Sequence, residues 1–96
     1  MVITGLNDTE ALEGTTLELV TKVSDCYPIP SCEWFKDDVA IVSNETYQIE
    51  SNGSENKLII SNCSQVNEGT YRFKSTNDLG SVETSCQAFV LGKLNY

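Results

Sequence analysis

The side chains best able to do chemistry in this chain are its cysteines, which could bind a metal, form disulfides or act as redox thiols. There are four: Cys26, Cys32, Cys63 and Cys86. Because the chain has no histidine, a zinc site would need all four thiolates, yet their spacings of 6, 31 and 23 residues contain no Cys-x-x-Cys pair. We therefore expect no metal site and no cofactor.

Two interpretations of the cysteines stay open. Alternation along the sequence places Cys32, Cys63 and Cys86 in the interior, where a free thiol packs as a small apolar group. Cys26 follows Asp25 in a loop and is expected to be the most accessible. An even number of cysteines is typical of disulfides in secreted proteins, so a Cys26–Cys32 or a Cys63–Cys86 bridge remains an alternative under oxidation. All four are candidate redox cysteines.

No residue pattern predicts catalysis. The serines and threonines have neither a histidine nor a convincing lysine to act as a base. Asp37 and Asp38 indicate a turn, since aspartate bonds to nearby backbone in turns and no calcium-ligand series follows. We expect no catalytic residues and no enzymatic activity in this domain.

Size and charge restrict the partners. Ninety-six residues, 40% of them hydrophobic, predict a single domain over residues 1–96, monomeric in isolation. Fourteen acidic against six basic residues give a net charge of -8, which repels phosphate backbones and anionic lipids. No apolar run approaches the roughly 20 residues that cross a bilayer, and the first residues lack a signal-peptide pattern. Neither nucleic acid nor a membrane is an expected partner.

Alternating polarity and regular turn signals predict an all-β domain. Three predicted strands have a continuous inward face: Leu17, Leu19, Thr21 and Val23; Tyr71, Phe73 and Ser75; and Thr84, Cys86, Ala88 and Val90. Seven or eight short strands in a chain of this length indicate a sandwich of two sheets, with a small closed barrel as the alternative.

Several motifs at fixed spacing resemble those of I-set immunoglobulin domains. They are Glu13-Gly14 before an alternating strand, Pro28-x-Pro30-x-Cys32-x-Trp34, Leu58-x-Ile60-x-Asn62-Cys63, Asn67-Glu68-Gly69-Thr70-Tyr71-x-Phe73 and the hairpin Asn77-Asp78-Leu79-Gly80. The resemblance covers about Ile3 to Leu91 and implies a two-sheet Greek-key sandwich. It makes Trp34 the tryptophan between the sheets and Tyr71 the tyrosine corner, whose hydroxyl bonds to nearby backbone.

The departures from this family are informative. Aligned on Trp34 and Tyr71, Thr21 and Phe73 stand where the family has the two cysteines of its central disulfide between strands B and F. That disulfide cannot form, so the predicted structural core is Thr21, Trp34, Tyr71 and Phe73 held by packing. Asn67 replaces the usual aspartate of the tyrosine corner. A centre without a disulfide suits a reducing compartment, which predicts a cytoplasmic location.

I-set domains that lack this disulfide resemble modules of the titin-like giant proteins of the sarcomere. The resemblance implies a structural and mechanical module in a tandem array, with the I-band favoured and any kinase domain elsewhere in the parent chain. Its partners would be neighbouring immunoglobulin domains of the same chain and sarcomeric or cytoskeletal proteins. Obscurin, myomesin, twitchin and myosin light chain kinases are alternative parents.

The mechanical role would depend on a parallel pairing of terminal strands. In such folds a strand at about Thr9–Leu12 pairs with the last strand, at about Ser85–Val90, and a proline at Ala88 is expected to weaken that pairing. A protein-binding role would use an exposed sheet edge or the acidic surface, with Ile41, Val42 and the loop Tyr27–Ser31 as first candidates.

An extracellular adhesion module is the remaining alternative. It is suggested by four Asn-x-Ser/Thr sequons, which begin at Asn7, Asn44, Asn52 and Asn62. The sequon at Asn62 contains Cys63, whose predicted burial makes it a poor acceptor site.

Overall fold

The computed structural model of the chain describes residues 2–24, 30–52 and 55–92. The predictions made for Cys26, for residues 27–29 of the candidate binding loop and for the side chain of Asn52 lie outside what is described. Within the described ranges there are nine strands and one short 3₁₀-helix. They are β1 (Val2–Thr4), β2 (Thr9–Leu12), β3 (Leu17–Ser24), β4 (Ser31–Lys36), β5 (Val39–Ala40), β6 (Tyr47–Asn52), β7 (Glu55–Ile60), the 3₁₀-helix (Gln65–Asn67), β8 (Gly69–Asn77) and β9 (Gly80–Leu91).

The strands form two sheets. One has four strands in the order β1-β3-β7-β6, and the other has five in the order β2-β9-β8-β4-β5. The β2–β9 pair is parallel, whereas the other pairs are antiparallel. The predicted all-β sandwich is confirmed. Among the described residues, no helix has the length and apolar character needed to span a membrane.

Residues 5–8 carry the chain from one sheet to the other, because β1 joins the four-stranded sheet and β2 the five-stranded one. Gly5 lets the crossing segment pass close to β9, since a Cβ atom at this position would lie 3.1 Å from Oγ1 of Thr84. The next backbone N–H, of Leu6, donates to the same Thr84 oxygen at 3.0 Å. The crossing is therefore fixed to β9, and it closes one long side of the sandwich.

The core follows from alternation, because residues two apart on a strand share a face. The buried apolar residues are Leu6, Leu17, Leu19, Val23, Trp34, Leu58, Ile60, Cys63, Tyr71, Phe73, Cys86, Ala88 and Val90. At the centre, the Trp34 and Phe73 rings lie 4.9 Å apart at a tilt of 59°. Contacts of this kind stabilise aromatic pairs beyond the area that they bury.

Thr21 and Phe73, where related domains would have their central disulfide, are both buried. The Thr21 hydroxyl donates to the backbone oxygen of Thr4, which ties β3 to β1. Thr21 therefore combines an apolar methyl group with a satisfied hydroxyl, as a buried polar group requires.

Candidate functional site

The parallel pairing of β2 with β9 is the first candidate functional feature. The register runs from Thr9 opposite Ala88 to Leu12 opposite Leu91, which confirms the predicted pairing and shifts it toward the end of β9. Flanking bonds extend the pairing in both directions: the N–H of Glu13 donates to the Leu91 oxygen, and the N–H of Gln87 donates to Oδ1 of Asp8, each at 2.8 Å.

These flanking bonds also show which backbone groups hold the pair together. Gln87 and Leu91 direct their polar backbone groups toward β2, whereas the N–H of Val90 donates to Oε2 of Glu68 on the β8 side at 2.9 Å. Because the direction of these groups alternates along a strand, the backbone N–H and C=O of Phe89 face β2, and those of Ala88 face β8. The predicted use of Ala88→Pro against the terminal pairing was therefore wrong, since that variant would interrupt the β8–β9 ladder.

The same alternation identifies the donors on β2. The N–H of Glu13 faces β9, so the N–H of Ala11 also faces β9 and that of Glu10 points away from the sheet. Sequence reasoning missed Asp8 and Glu68, whose carboxylates extend the ladders. Their positions immediately before β2 and β8 were a signal, because a carboxylate there can accept from the neighbouring strand's free N–H.

The tyrosine corner connects the two sheets at one end of the sandwich. The Tyr71 hydroxyl donates to the backbone oxygen of Asn67, as expected from the sequence. Burial raises the pKa of Tyr71 well above its ordinary value, with the neighbouring Tyr47 as the second cause. The phenol therefore stays protonated and remains a donor at neutral pH.

The neutral side-chain amide of Asn67 both accepts and donates a hydrogen bond, whereas the usual aspartate carboxylate could only accept. Its Oδ1 accepts from the N–H of Ser64 at 2.8 Å, and its Nδ2 donates to the Tyr47 hydroxyl at 2.9 Å. Asn67 is itself buried, so an amide that both donates and accepts avoids placing a charge in the interior.

The three cysteines within the described residues are free thiols in different surroundings. Cys63 is fully buried and its Sγ donates to the Leu12 oxygen at 3.4 Å. Cys86 is buried, and desolvation, with Asp8 as a secondary cause, raises its pKa to about 11. No cluster of three or more acidic or cysteine side chains suited to a metal occurs in the part of the chain that is described.

Cys32 is exposed, so its predicted place in the interior was wrong. It shares the inward face of β4 with Trp34 but lies next to the first residue of that strand, where its Sγ is 3.9 Å from Oγ of Ser75. Alternation fixes the face on which a side chain lies. It does not determine how far along the strand the opposite sheet covers that face.

The second candidate feature is an open depression of about 360 Å³ between β5 and β6, which are edge strands of different sheets. We call it the edge groove, and it is lined by Lys36, Asp37, Val39, Ala40, Ile41, Val42, Asn44 and Tyr47. Ile41 and Tyr47 pack against the core, whereas Val39 and Val42 are 68% and 72% exposed. The groove includes Ile41 and Val42, which the sequence analysis proposed for binding, and also Val39 and Tyr47, which it did not.

The turn between β4 and β5 positions one end of this groove. Asp37 and Asp38 have φ values of 49° and 67°, and such paired positive values suit a two-residue hairpin. Asp37 is fixed to β8, because its N–H donates to the Thr70 oxygen at 2.8 Å and its Oδ1 accepts from the Thr70 N–H at 3.0 Å. The Thr70 bond, followed by Lys36, lowers the pKa of Asp37. Both aspartates therefore serve the turn.

A family comparison identifies the sandwich. The immunoglobulin I-set domain model matches residues 1–90. The chain belongs to the I-set immunoglobulin family. Its centre departs from that of the disulfide-bonded members, since Thr21 and Phe73 replace the cysteines and the described cysteines are free.

Curated relatives include both muscle and membrane proteins. The muscle M-line assembly protein unc-89 of Caenorhabditis elegans is 28% identical over 92% of this chain, and human slow-type myosin-binding protein C is 42% identical over 62% of it. The limbic system-associated membrane protein of Gallus gallus is 32% identical over 86% of the chain. The chain spans only 1%, 5% and 24% of the lengths of these three proteins.

Solved structures of titin domains have the same fold. Titin domain M7 superposes with a TM-score of 0.86 at 29% identity, covering 97% of this chain and 93% of that domain. The chain is thus an immunoglobulin domain that resembles modules of sarcomeric proteins.

Proposed function

We propose that this domain, over residues 1–96, is a mechanical and scaffolding module of a sarcomeric protein, one unit in a tandem array of immunoglobulin domains. The parallel β2–β9 pairing is the observation that carries the proposal. Force on the N-terminal side passes first through β1, which is paired with β3, and then enters β2 at its start, while force on the other side enters β9 at its end. The backbone bonds between β2 and β9 are then loaded together in shear. Each bond contributes only about 0.5–1.5 kcal/mol, but their simultaneous rupture raises the barrier to forced unfolding. The role requires no catalytic residue.

The muscle relatives support a sarcomeric location and partners drawn from sarcomeric proteins and neighbouring immunoglobulin domains. A cytoplasmic environment agrees with the free thiols of the described cysteines. The I-band placement implied by the sequence resemblance has no support from these relatives, and we do not include it in the proposal.

Single-molecule pulling on the domain between two reference domains tests this role. A matched pair of variants separates the shear bonds from a general effect of proline on β2. Ala11→Pro removes an N–H directed at β9, whereas Glu10→Pro removes one that points away. We expect a distinct unfolding peak for the parent, a lower peak for Ala11→Pro and a nearly unchanged peak for Glu10→Pro. Absence of a peak in the parent, or equal losses in both variants, would reject the mechanical role.

Extracellular adhesion is the second candidate, and the similarity to a limbic system-associated membrane protein favours it. Three of the sequon asparagines, Asn7, Asn44 and Asn62, are exposed. Mass spectrometry of the natively expressed protein distinguishes the two environments. Glycan on Asn44 would support adhesion, whereas unmodified asparagines together with free thiols would support the sarcomeric module.

A further inference from the structure

The edge groove has the features of a binding site for an extended chain. Its floor is apolar, since Ile41 and Tyr47 continue the core outward, and its walls are the exposed Val39 and Val42. A neighbouring depression lined by Ser43, Asn44, Gln48, Ile49 and Glu50 shares Asn44 and continues the groove along β6. The combined surface is elongated and lies beside two strand edges.

One of those edges presents backbone groups to the groove side. The N–H of Ile41 donates to the Trp34 oxygen at 2.9 Å, so Ile41 faces β4. Because the direction alternates, the N–H and C=O of the preceding residue, Ala40, point away from β4, on the outer side of the edge strand. An extended segment laid beside β5 could bond to both groups, which is how sheet edges bind peptides.

The charges around the groove favour a basic ligand. Asp37 and Asp38 lie at the hairpin end, where Lys36 Nζ is 3.1 Å from Asp37 and Arg72 Nη1 is 3.6 Å from Asp38. At the other end, Glu50 is an exposed carboxylate in the lining of the neighbouring depression, and Glu45 is an exposed carboxylate in the segment between β5 and β6. Lys57 lies opposite Glu50 in the β6–β7 pair, and its Nζ is 3.5 Å from Oε1 of Glu55.

Among the described residues, Glu45 and Glu50 form no ion pair. The nearby charges therefore leave a negative excess, in a chain whose net charge is already -8.

We propose that the edge groove binds an extended segment of a partner protein, in which apolar side chains alternating along the segment are flanked by lysine or arginine. The apolar side chains enter between Val39, Val42 and Tyr47, the backbone pairs with Ala40, and a basic side chain approaches Glu50. This inference specifies the scaffolding part of the proposed function and rests on it. It is independent of the β2–β9 pairing.

A synthetic peptide whose alternating valines are flanked on both sides by lysines is a suitable probe. Its binding is measured by amide chemical-shift changes of the isotope-labelled 96-residue chain and by calorimetry. We expect saturable shifts at Val39, Ala40, Val42 and Tyr47. A peptide with glutamate in place of lysine should bind at least about tenfold more weakly, and added salt should reduce the difference.

Matched variants locate the site. Val42→Asp should lower affinity for the lysine peptide by about tenfold or more, because it places a charge in the apolar wall. Val66→Asp is its control, since Val66 is 79% exposed and lies in the 3₁₀-helix, outside the groove lining. Glu50→Lys should weaken binding of the lysine peptide, whereas Glu83→Lys on β9 should not. Ala40→Pro should also weaken it, through the lost N–H.

Several outcomes would overturn the inference: no saturable binding of the lysine peptide, equal affinity for the glutamate peptide, shifts centred outside the groove, or equal losses in Val42→Asp and Val66→Asp. Shifts at Val42 that depend on protein concentration without peptide would instead identify a second copy of the chain as the occupant. The unfolding force of Val42→Asp distinguishes the two proposals. A loss of peptide binding with an unchanged force peak separates the groove from the mechanical role.

Discussion

The two long sides of the sandwich are built differently. On the closed side, residues 5–8 cross between the sheets and β2 joins the last strand in parallel, with Leu6, Asp8 and Glu13 bonded to residues of β9. On the open side, β5 and β6 are connected by residues 41–46 and leave the edge groove between them. Asn44 there bonds locally, donating its N–H to the Tyr47 oxygen and accepting from the N–H of Tyr47.

This difference places the two proposed roles, mechanical resistance and partner binding, on opposite sides of the sandwich. The bonds of the closed side join residues at opposite ends of the chain, so they can break only if the terminal strands separate. The open side leaves apolar side chains and backbone groups beside the gap, at the cost of an edge that must be protected from unwanted pairing. The short length of β5 and the acidic residues around it provide that protection. Under the two proposals, the domain would resist force along one side and bind a partner along the other.

The largest expected effect concerns the core that both sides share. Phe73→Ala should destabilise the domain by about 3–5 kcal/mol, because it leaves a cavity beside Trp34 between the sheets. Phe89→Ala on the next strand is the control, since Phe89 is 43% exposed, and it should cost about 1 kcal/mol or less. Urea unfolding measures both. Similar losses for the two variants would mean that the central aromatic pair does not dominate the core.

One proline substitution on β2 and one on β5 compare the stability that backbone hydrogen bonds contribute on the closed and the open side. Ala11→Pro should cost about 1–3 kcal/mol, because it leaves an acceptor on β9 without its donor. Ala40→Pro should cost less than about 0.5 kcal/mol, because the lost N–H points out of the sheet. The free energies of unfolding of the two variants test the comparison. Equal costs would contradict the assignment of a bonded side and an open one.

A smaller expected effect is a difference in the rate of thiol modification between the exposed and the buried cysteines. In a Cys26→Ser background, a thiol reagent at neutral pH should modify Cys32 at once, because this side chain is exposed. Cys63 and Cys86 should react only as the domain opens, since both are buried and burial raises the pKa of Cys86 to about 11. Mass spectrometry of the modified peptides over time measures the order. Early modification of Cys63 would indicate local opening beside Leu12, on the closed side.

The smallest effect concerns the turn at the end of the groove. The pKa of Asp37 is lowered in the folded chain, so its ionised form contributes stability above the ordinary value of 3.8. That contribution is lost as the pH falls through the lowered value. Asp37→Asn should therefore show a weaker loss of stability on acidification than the parent, measured by urea unfolding at neutral and acidic pH. Glu83→Gln serves as the control, and identical pH dependence of Asp37→Asn and the parent would contradict the prediction.

The sequence by itself determined the sandwich, the faces of its strands and the absence of a central disulfide. Alternation has a period of two, so it assigns Thr21, Tyr71 and Phe73 to the interior without knowledge of their neighbours. The absence of the central disulfide follows from motif spacing along the chain, because Trp34 and Tyr71 place Thr21 and Phe73 at the positions of the two cysteines. Both kinds of information are contained in the order of the residues.

Tertiary structure alone decided the register in which the strands pair, how far each face is covered and where the surface is open. Cys32 lies on the inward face of β4 but too close to the end of the strand to be covered by the opposite sheet. The N–H of Ala88 is directed to β8 rather than to β2. Likewise, Val39 and Tyr47 share one groove although they belong to different sheets. Such properties depend on the position of a second strand, which the sequence of the first does not contain.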